Sequence, residues 1–170
     1  MVAAAARSGL PAPAHWSRSV SGRLVVPDPL ADEDAFVAAV LAVDRRSLDQ
    51  LQREHSSLAA EVRVTRPGLV VWAAATGSRG AVELLVELGF DVNAMGRADV
   101  PSNQPWQTAL HRAADDGDLE LARTLLLLGA DPDIKDARFG GTPLGWARYF
   151  DRQPIIELLE PVTAPEADSA

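Results

Sequence analysis

Three histidines, His15, His55 and His111, are the side chains here best suited to proton transfer near neutral pH. No two are close enough in sequence to form a zinc ligand pair, and the chain has no cysteine. A denser acidic run is Asp115, Asp116, Asp118 and Glu120. A hard cation or an acid–base pair would need several of these oxygens to converge on one point. Their spacing places them along a helix–turn–helix, where they fan outward as a solvated acidic face. Asp131, Asp133 and Asp136 are expected in turns, since aspartate accepts hydrogen bonds from nearby backbone N–H groups. Ser56 and Ser57 have no recognisable base beside them, and the glycines are dispersed rather than gathered into a phosphate-cradling loop before Lys-Ser/Thr. These residues predict no catalytic residue, no cofactor and no metal ligand.

Composition narrows the classes further. The chain has 170 residues, enough for one domain, and is 47% hydrophobic with only 5% aromatics. Abundant alanine and leucine favour packed helices over sheet. A formal charge of −8 without any Lys/Arg cluster argues against a nucleic-acid or anionic-membrane surface. No run of about 18 apolar residues predicts a membrane span. Residues 1–27 hold Arg7, Arg18 and Arg23 but no acid, a transit-peptide-like composition weighed against a flexible or loosely docked arm. The alanine- and arginine-rich, lysine-poor usage resembles that of high-GC bacterial proteins, which implies a cytoplasmic setting.

The elements follow from a repeated register. Ala39, Ala73, Ala113 and Ala147 are spaced 34, 40 and 34 residues apart. Leu51, Leu85, Leu125 and Leu159 keep the same intervals, as do the large apolar residues Phe36, Val70, Leu110 and Leu144. A period in the thirties predicts stacked supersecondary units, each too small to bury its own apolar face. Alanine lets the inner helices approach closely, and leucine fills the outer layer. Gly77 and Gly117 are expected to stop first helices, and Gly89 and Gly129 to stop second helices, because glycine tolerates positive φ. The predicted organisation is an irregular arm over 1–31, units over roughly 34–67, 68–107, 108–141 and 142–161, and a disordered tail over 162–170. Helix begins near Asp32, and the segment leading to Pro67 is read as a return connection. Trp16, Leu24, Val25 and Val26 of the arm could pack onto the first pair. Pro161 ends the last helix.

The third unit carries a family resemblance. Thr108-Ala109-Leu110-His111, then Ala113-Ala114, Gly117-Asp118, Leu125-Leu126 and Gly129-Ala130-Asp131 resemble an ankyrin repeat. Thr142-Pro143-Leu144 and Ala147 support it in the fourth unit, and Ala73-Ala74, Gly77, Leu84-Leu85, Gly89 and Asp91-Val92-Asn93 in the second. The resemblance covers roughly 34–161 and implies an all-α solenoid of helix–turn–helix units with hairpin-like fingers. It also implies that His111 makes a structural hydrogen bond between turns. Val71 and Gly145 depart from the expected histidine, Arg148 from the second alanine, and Gly68 from the threonine that caps the first helix. Six extra residues between Asp91 and Thr108 enlarge one finger. Insertions at such loops often serve binding, although a loop tolerates them at little thermodynamic cost.

The resemblance implies binding of another protein through the concave face and finger tips, by a chain monomeric on its own. It places Gln104, Pro105, Trp106, Gln107, Asp115 and Asp116 there from the third unit, and Arg138, Phe139, Tyr149 and Phe150 from the fourth. Val64, Thr65, Ala75 and Thr76 would take the same place in the second. Aromatic anchors ringed by polar groups are the usual make-up of interface hot spots. Asp115 and Asp116 would favour a basic partner. Trp72 and Trp146, just before their core alanines, are expected to pack between helices. Two alternatives remain: self-association through the last helix with Ile155, Ile156 and Leu158, and a ligand-binding or enzymatic pocket near the 92–107 finger.

Overall fold

The computed structural model describes residues 17–18, 24–25, 29–96 and 106–164. Two short strands, β1 (Ser17–Arg18) and β2 (Leu24–Val25), pair antiparallel. Nine helices follow among the described residues. They are α1 (Pro29–Leu41), α2 (Arg45–Glu54), α3 (Leu58–Thr65), α4 (Leu69–Ala75), α5 (Arg79–Glu87), α6 (Ala109–Asp116), α7 (Leu119–Leu127), α8 (Pro143–Tyr149) and α9 (Gln153–Leu159). The chain is an all-α repeat solenoid, with α4, α6 and α8 packed in a row and α5, α7 and α9 behind them.

The periodic residues explain the stacking. Ala73, Ala113 and Ala147 are fully buried at matching places in α4, α6 and α8, and Leu85, Leu125 and Leu159 are fully buried in the second layer. Each such leucine contributes about 1.5–3 kcal/mol before entropy is subtracted. The chain turns from the first helix to the second at Val43, Gly77, Gly117 and Asp151, all with positive φ and all in the same register. The second helix then opens at Asp44, Ser78, Asp118 or Arg152. The first three accept a hydrogen bond from the backbone N–H three residues on, and Arg152 does not. Asp118, expected on a solvated face, therefore works as a helix cap.

The N-terminal unit departs from this scheme. The segment before Pro67 is not an extended return but the helix α3, and α1 packs chiefly against α2, α3 and α5. Phe36 of α1 stacks on Phe90 after α5, with ring centroids 6.3 Å apart. Arg66 after α3 binds Glu33 and Asp34 at 3.3 and 2.8 Å, and Arg45 binds Glu87 at 2.7 Å. His55 is half-buried and lies 2.8 Å from the Asp32 carboxylate. Leu51 stays only half-buried, with no further unit over α2 among the described residues. Helix α1 opens at Pro29, ahead of Asp32. The side chains of Trp16, Leu24, Val25 and Val26 and the tail residues 165–170 lie outside the described structure. Val162 and Thr163 bond back to the Leu159 carbonyl, and Ala164 N donates to Asp133 at 2.7 Å.

Successive turns are stitched side by side. Asn93 donates to the Gly129 carbonyl at 3.2 Å and accepts from Asp131 N at 2.8 Å. Gly96 pairs with Gln107 in a single antiparallel bridge, and Ala137 N donates to the Trp106 carbonyl at 2.8 Å, joining one finger to the next.

Candidate partner-binding face

Asp136 organises the C-terminal end of the row formed by α4, α6 and α8. It is the first residue of the turn 136–141, closed by its own N–H to the Gly141 carbonyl at 2.9 Å. Its carboxylate accepts from the backbone N–H groups of Arg138, Phe139 and Gly141 at 2.9, 2.6 and 2.8 Å. A fourth bond comes from Trp146 Nε1 at 3.0 Å. Burial is the largest single influence on this carboxyl and raises its pKa. The bonds from Phe139, Trp146, Gly141 and Arg138 together outweigh it and hold Asp136 below the usual carboxylate range. A turn residue thus fixes a tryptophan on the neighbouring helix.

Around Trp146 the rings assemble. Its centroid lies 5.3 Å from Trp106, 6.3 Å from Phe139, 6.2 Å from Phe150 and 5.6 Å from His111. Tyr149 meets Phe150 edge-on at 4.9 Å, and Trp106 meets Phe139 edge-on at 6.1 Å. Phe139, Trp146, Tyr149 and Phe150 line a cavity of about 500 Å³. Phe139 is 69% exposed, Tyr149 83% and Phe150 39%, while Trp146 and Trp106 are half-buried. Exposed aromatic area on this scale is a mark of a binding surface.

His111 sits beneath, fully buried. Its Nδ1 accepts from Thr108 N at 3.2 Å, with Thr108 Oγ1 at 2.8 Å, so the proton is on Nε2, which donates to the Gly141 carbonyl at 3.0 Å. Desolvation pulls its pKa below the ordinary histidine value, against the opposing pull of the Gly141 carbonyl and the Asp136 charge. The ring is a neutral tie between the start of α6 and the next turn.

The structure gathers some of the expected binding residues and separates others. Trp106, Arg138, Phe139, Tyr149 and Phe150 come together. Gln107 does not join them at the surface. It is 1% exposed, because the bridge to Gly96 turns it inward, and its Oε1 has no hydrogen-bond partner. Gln104 and Pro105 lie outside the described residues. Asp115 and Asp116 both bind Arg112, which donates to Asp115 at 2.9 Å and to Asp116 through Nε at 2.7 Å and also through Nη2. One guanidinium thus engages both carboxylates, and the three side chains together keep one net negative charge. Val64 and Thr65 belong to α3 rather than to a finger, and Thr65 bonds Glu33 at 3.2 Å. Ala75 and Thr76 end α4, with the Thr76 hydroxyl on the Ala73 carbonyl at 2.7 Å.

Trp146 is the residue that sequence reasoning underrates. Spacing alone makes it the equivalent of Trp72, a packing residue, but among the described residues Trp146 has an aspartate, four other rings and a cavity beside it. Ile155, offered for self-association, is fully buried, leaving half-buried Ile156 and Leu158. No group of three or more metal-ligating side chains exists among the described residues, and no described helix is long and apolar enough to cross a membrane.

Comparison with known proteins gives two findings. The family described as ankyrin repeats, three copies, matches residues 41–136 and, in a second register, 71–166. The E3 ubiquitin-protein ligase Ufd4 of Drosophila melanogaster is 41% identical over 80 residues, 47% of this chain but 3% of that protein. The chain therefore spans a very small part of this relative.

Proposed function

Because the chain belongs to the ankyrin-repeat family, whose repeats serve in general as protein-interaction modules and not as catalysts, we propose that it captures a partner protein reversibly through its concave face. Residues 32–161 form the binding domain in this proposal, and the chain works as a monomer without a cofactor. The observation that supports it is the group of exposed rings, Phe139, Tyr149 and Phe150, around a Trp146 fixed by Asp136. Rings held in place before contact lose little further freedom on binding, which favours affinity. A cytoplasmic setting belongs to the same proposal on composition alone. The ligase relative shares only a repeat segment, and nothing of its activity is carried over.

The immobilised full chain, offered to cell lysate and read by mass spectrometry, tests the proposal. The double change Tyr149→Ala and Phe150→Ala, at exposed positions, should abolish specific capture while the helical circular dichroism is kept. Capture that survives the double change rules this face out.

A further inference from the structure

The partner's chemistry can be narrowed, resting on the face proposed above. Four arginines lie on α6, on α8, at the start of α9 and in the turn 136–141. Arg112 binds Asp115 and Asp116, Arg148 binds Glu160 at 2.9 Å, and Arg152 donates to the Asp115 carbonyl at 2.9 Å. Arg138 differs. Its guanidinium lies 5.1 Å from the Phe139 ring centroid and 5.9 Å from that of Trp106, and it pairs with no carboxylate among the described residues. Its backbone N–H is fixed on Asp136 and the residue is exposed.

A guanidinium lying over aromatic faces keeps its edge donors free, and that edge matches a carboxylate with two parallel bonds. Among the described residues the neighbouring cavity is lined by rings, which suits an apolar side chain. A cation is disfavoured there, since Arg138 already lies over Phe139, one of the lining rings, and would repel a second positive charge. We propose that this face takes a partner segment in which a large apolar side chain enters the ring-lined cavity and an adjacent Asp or Glu pairs with Arg138.

Three acetylated and amidated nonapeptides test this, titrated into the full chain by calorimetry and tryptophan fluorescence. One has a central Phe flanked by Asp and Glu, one the same Phe flanked by Lys, and one the acidic flanks around a central Ser. The acidic Phe peptide should bind about tenfold more tightly than the basic one, and the Ser peptide should not bind measurably. Arg138→Glu should reverse the charge preference, and Arg138→Lys should weaken it through loss of the two-bond geometry. Equal affinity for both charges, or an unchanged preference in Arg138→Glu, overturns this inference and leaves the ring face standing. Binding by none of the three also overturns it. Partner capture that ignores Tyr149→Ala with Phe150→Ala instead removes the face itself.

Discussion

Two successive junctions of this solenoid do the same job with opposite chemistry. At the start of α4 the chain has Gly68 and Val71, and the next turn brings in Gly96, paired with Gln107. At the start of α6 it has Thr108 and His111, and the next turn brings in Asp136, paired with Gly141. The first junction is a backbone contact. A Cβ on Gly68 would meet Gly96 Cα at 2.6 Å, and one on Gly96 would meet the Gly68 carbonyl at 2.7 Å. The second is a buried polar network of threonine, histidine, carboxylate and tryptophan. The difference teaches that stacking helices needs only close approach. The polar version adds a fixed orientation for Trp146, and it lies under the proposed binding face.

Breaking each junction should expose the contrast. His111→Ala should cost most, about 3 kcal/mol in urea unfolding, because it leaves a cavity and strips partners from Thr108 N and the Gly141 carbonyl. Gly96→Ala should cost about 2 kcal/mol, since the added methyl meets backbone that cannot swing aside. If Gly96→Ala is neutral, the glycine junction is not the tight contact described. Restoring the family residue by Gly68→Thr should likewise destabilise, although a consensus change usually stabilises.

The smallest expected effect sharpens the comparison with pH. His111 has a lowered pKa in the folded chain, so above the ordinary histidine value of about 6.5 its contribution is complete. As pH falls below that value the unfolded chain takes up protons that folded His111 resists, and stability drops. Asp136, also lowered, keeps its contribution until pH falls below the carboxylate range. Melting temperature should therefore fall more steeply below pH 6.5 in the parent and in Gly96→Ala than in His111→Ala. Among the described residues the Gly68–Gly96 junction holds no titratable group that could produce such a slope.

The repeats were legible because burial fixes residue type at fixed intervals. The register of Ala73, Ala113 and Ala147 gave the helix stack, and Gly77 and Gly117 gave its turns. The N-terminal unit was harder to read. Its turn falls on Val43, which carries a positive φ in a β-branched residue, and α3 is a short helix whose alanines and valines give no periodic signal distinct from a loop. Local propensity cannot show that Glu33 and Asp34 will meet Arg66. Gly68 reads in the sequence as a lost cap, and the contact with Gly96 that excludes a side chain there is a tertiary one. Of the proposed binding face, the exposed rings could be placed by register, because finger tips and helix edges recur with the repeat. Arg112 engaging Asp115 and Asp116 was in principle readable as an i,i+3 and i,i+4 pairing. Gln107 turning inward depends on a bridge across the enlarged finger, and that is a tertiary fact.

The account rests on a partner meeting the rings held by Asp136. Titration of the isotope-labelled chain with its captured partner, followed by nuclear magnetic resonance, tests this most directly. The Trp146 indole N–H and the Phe139, Tyr149 and Phe150 ring signals should shift together on binding, while the exposed side chains of Leu127 and Val64 stay unchanged. Shifts confined to Leu127 or Val64, with the Trp146 indole unmoved, would contradict it.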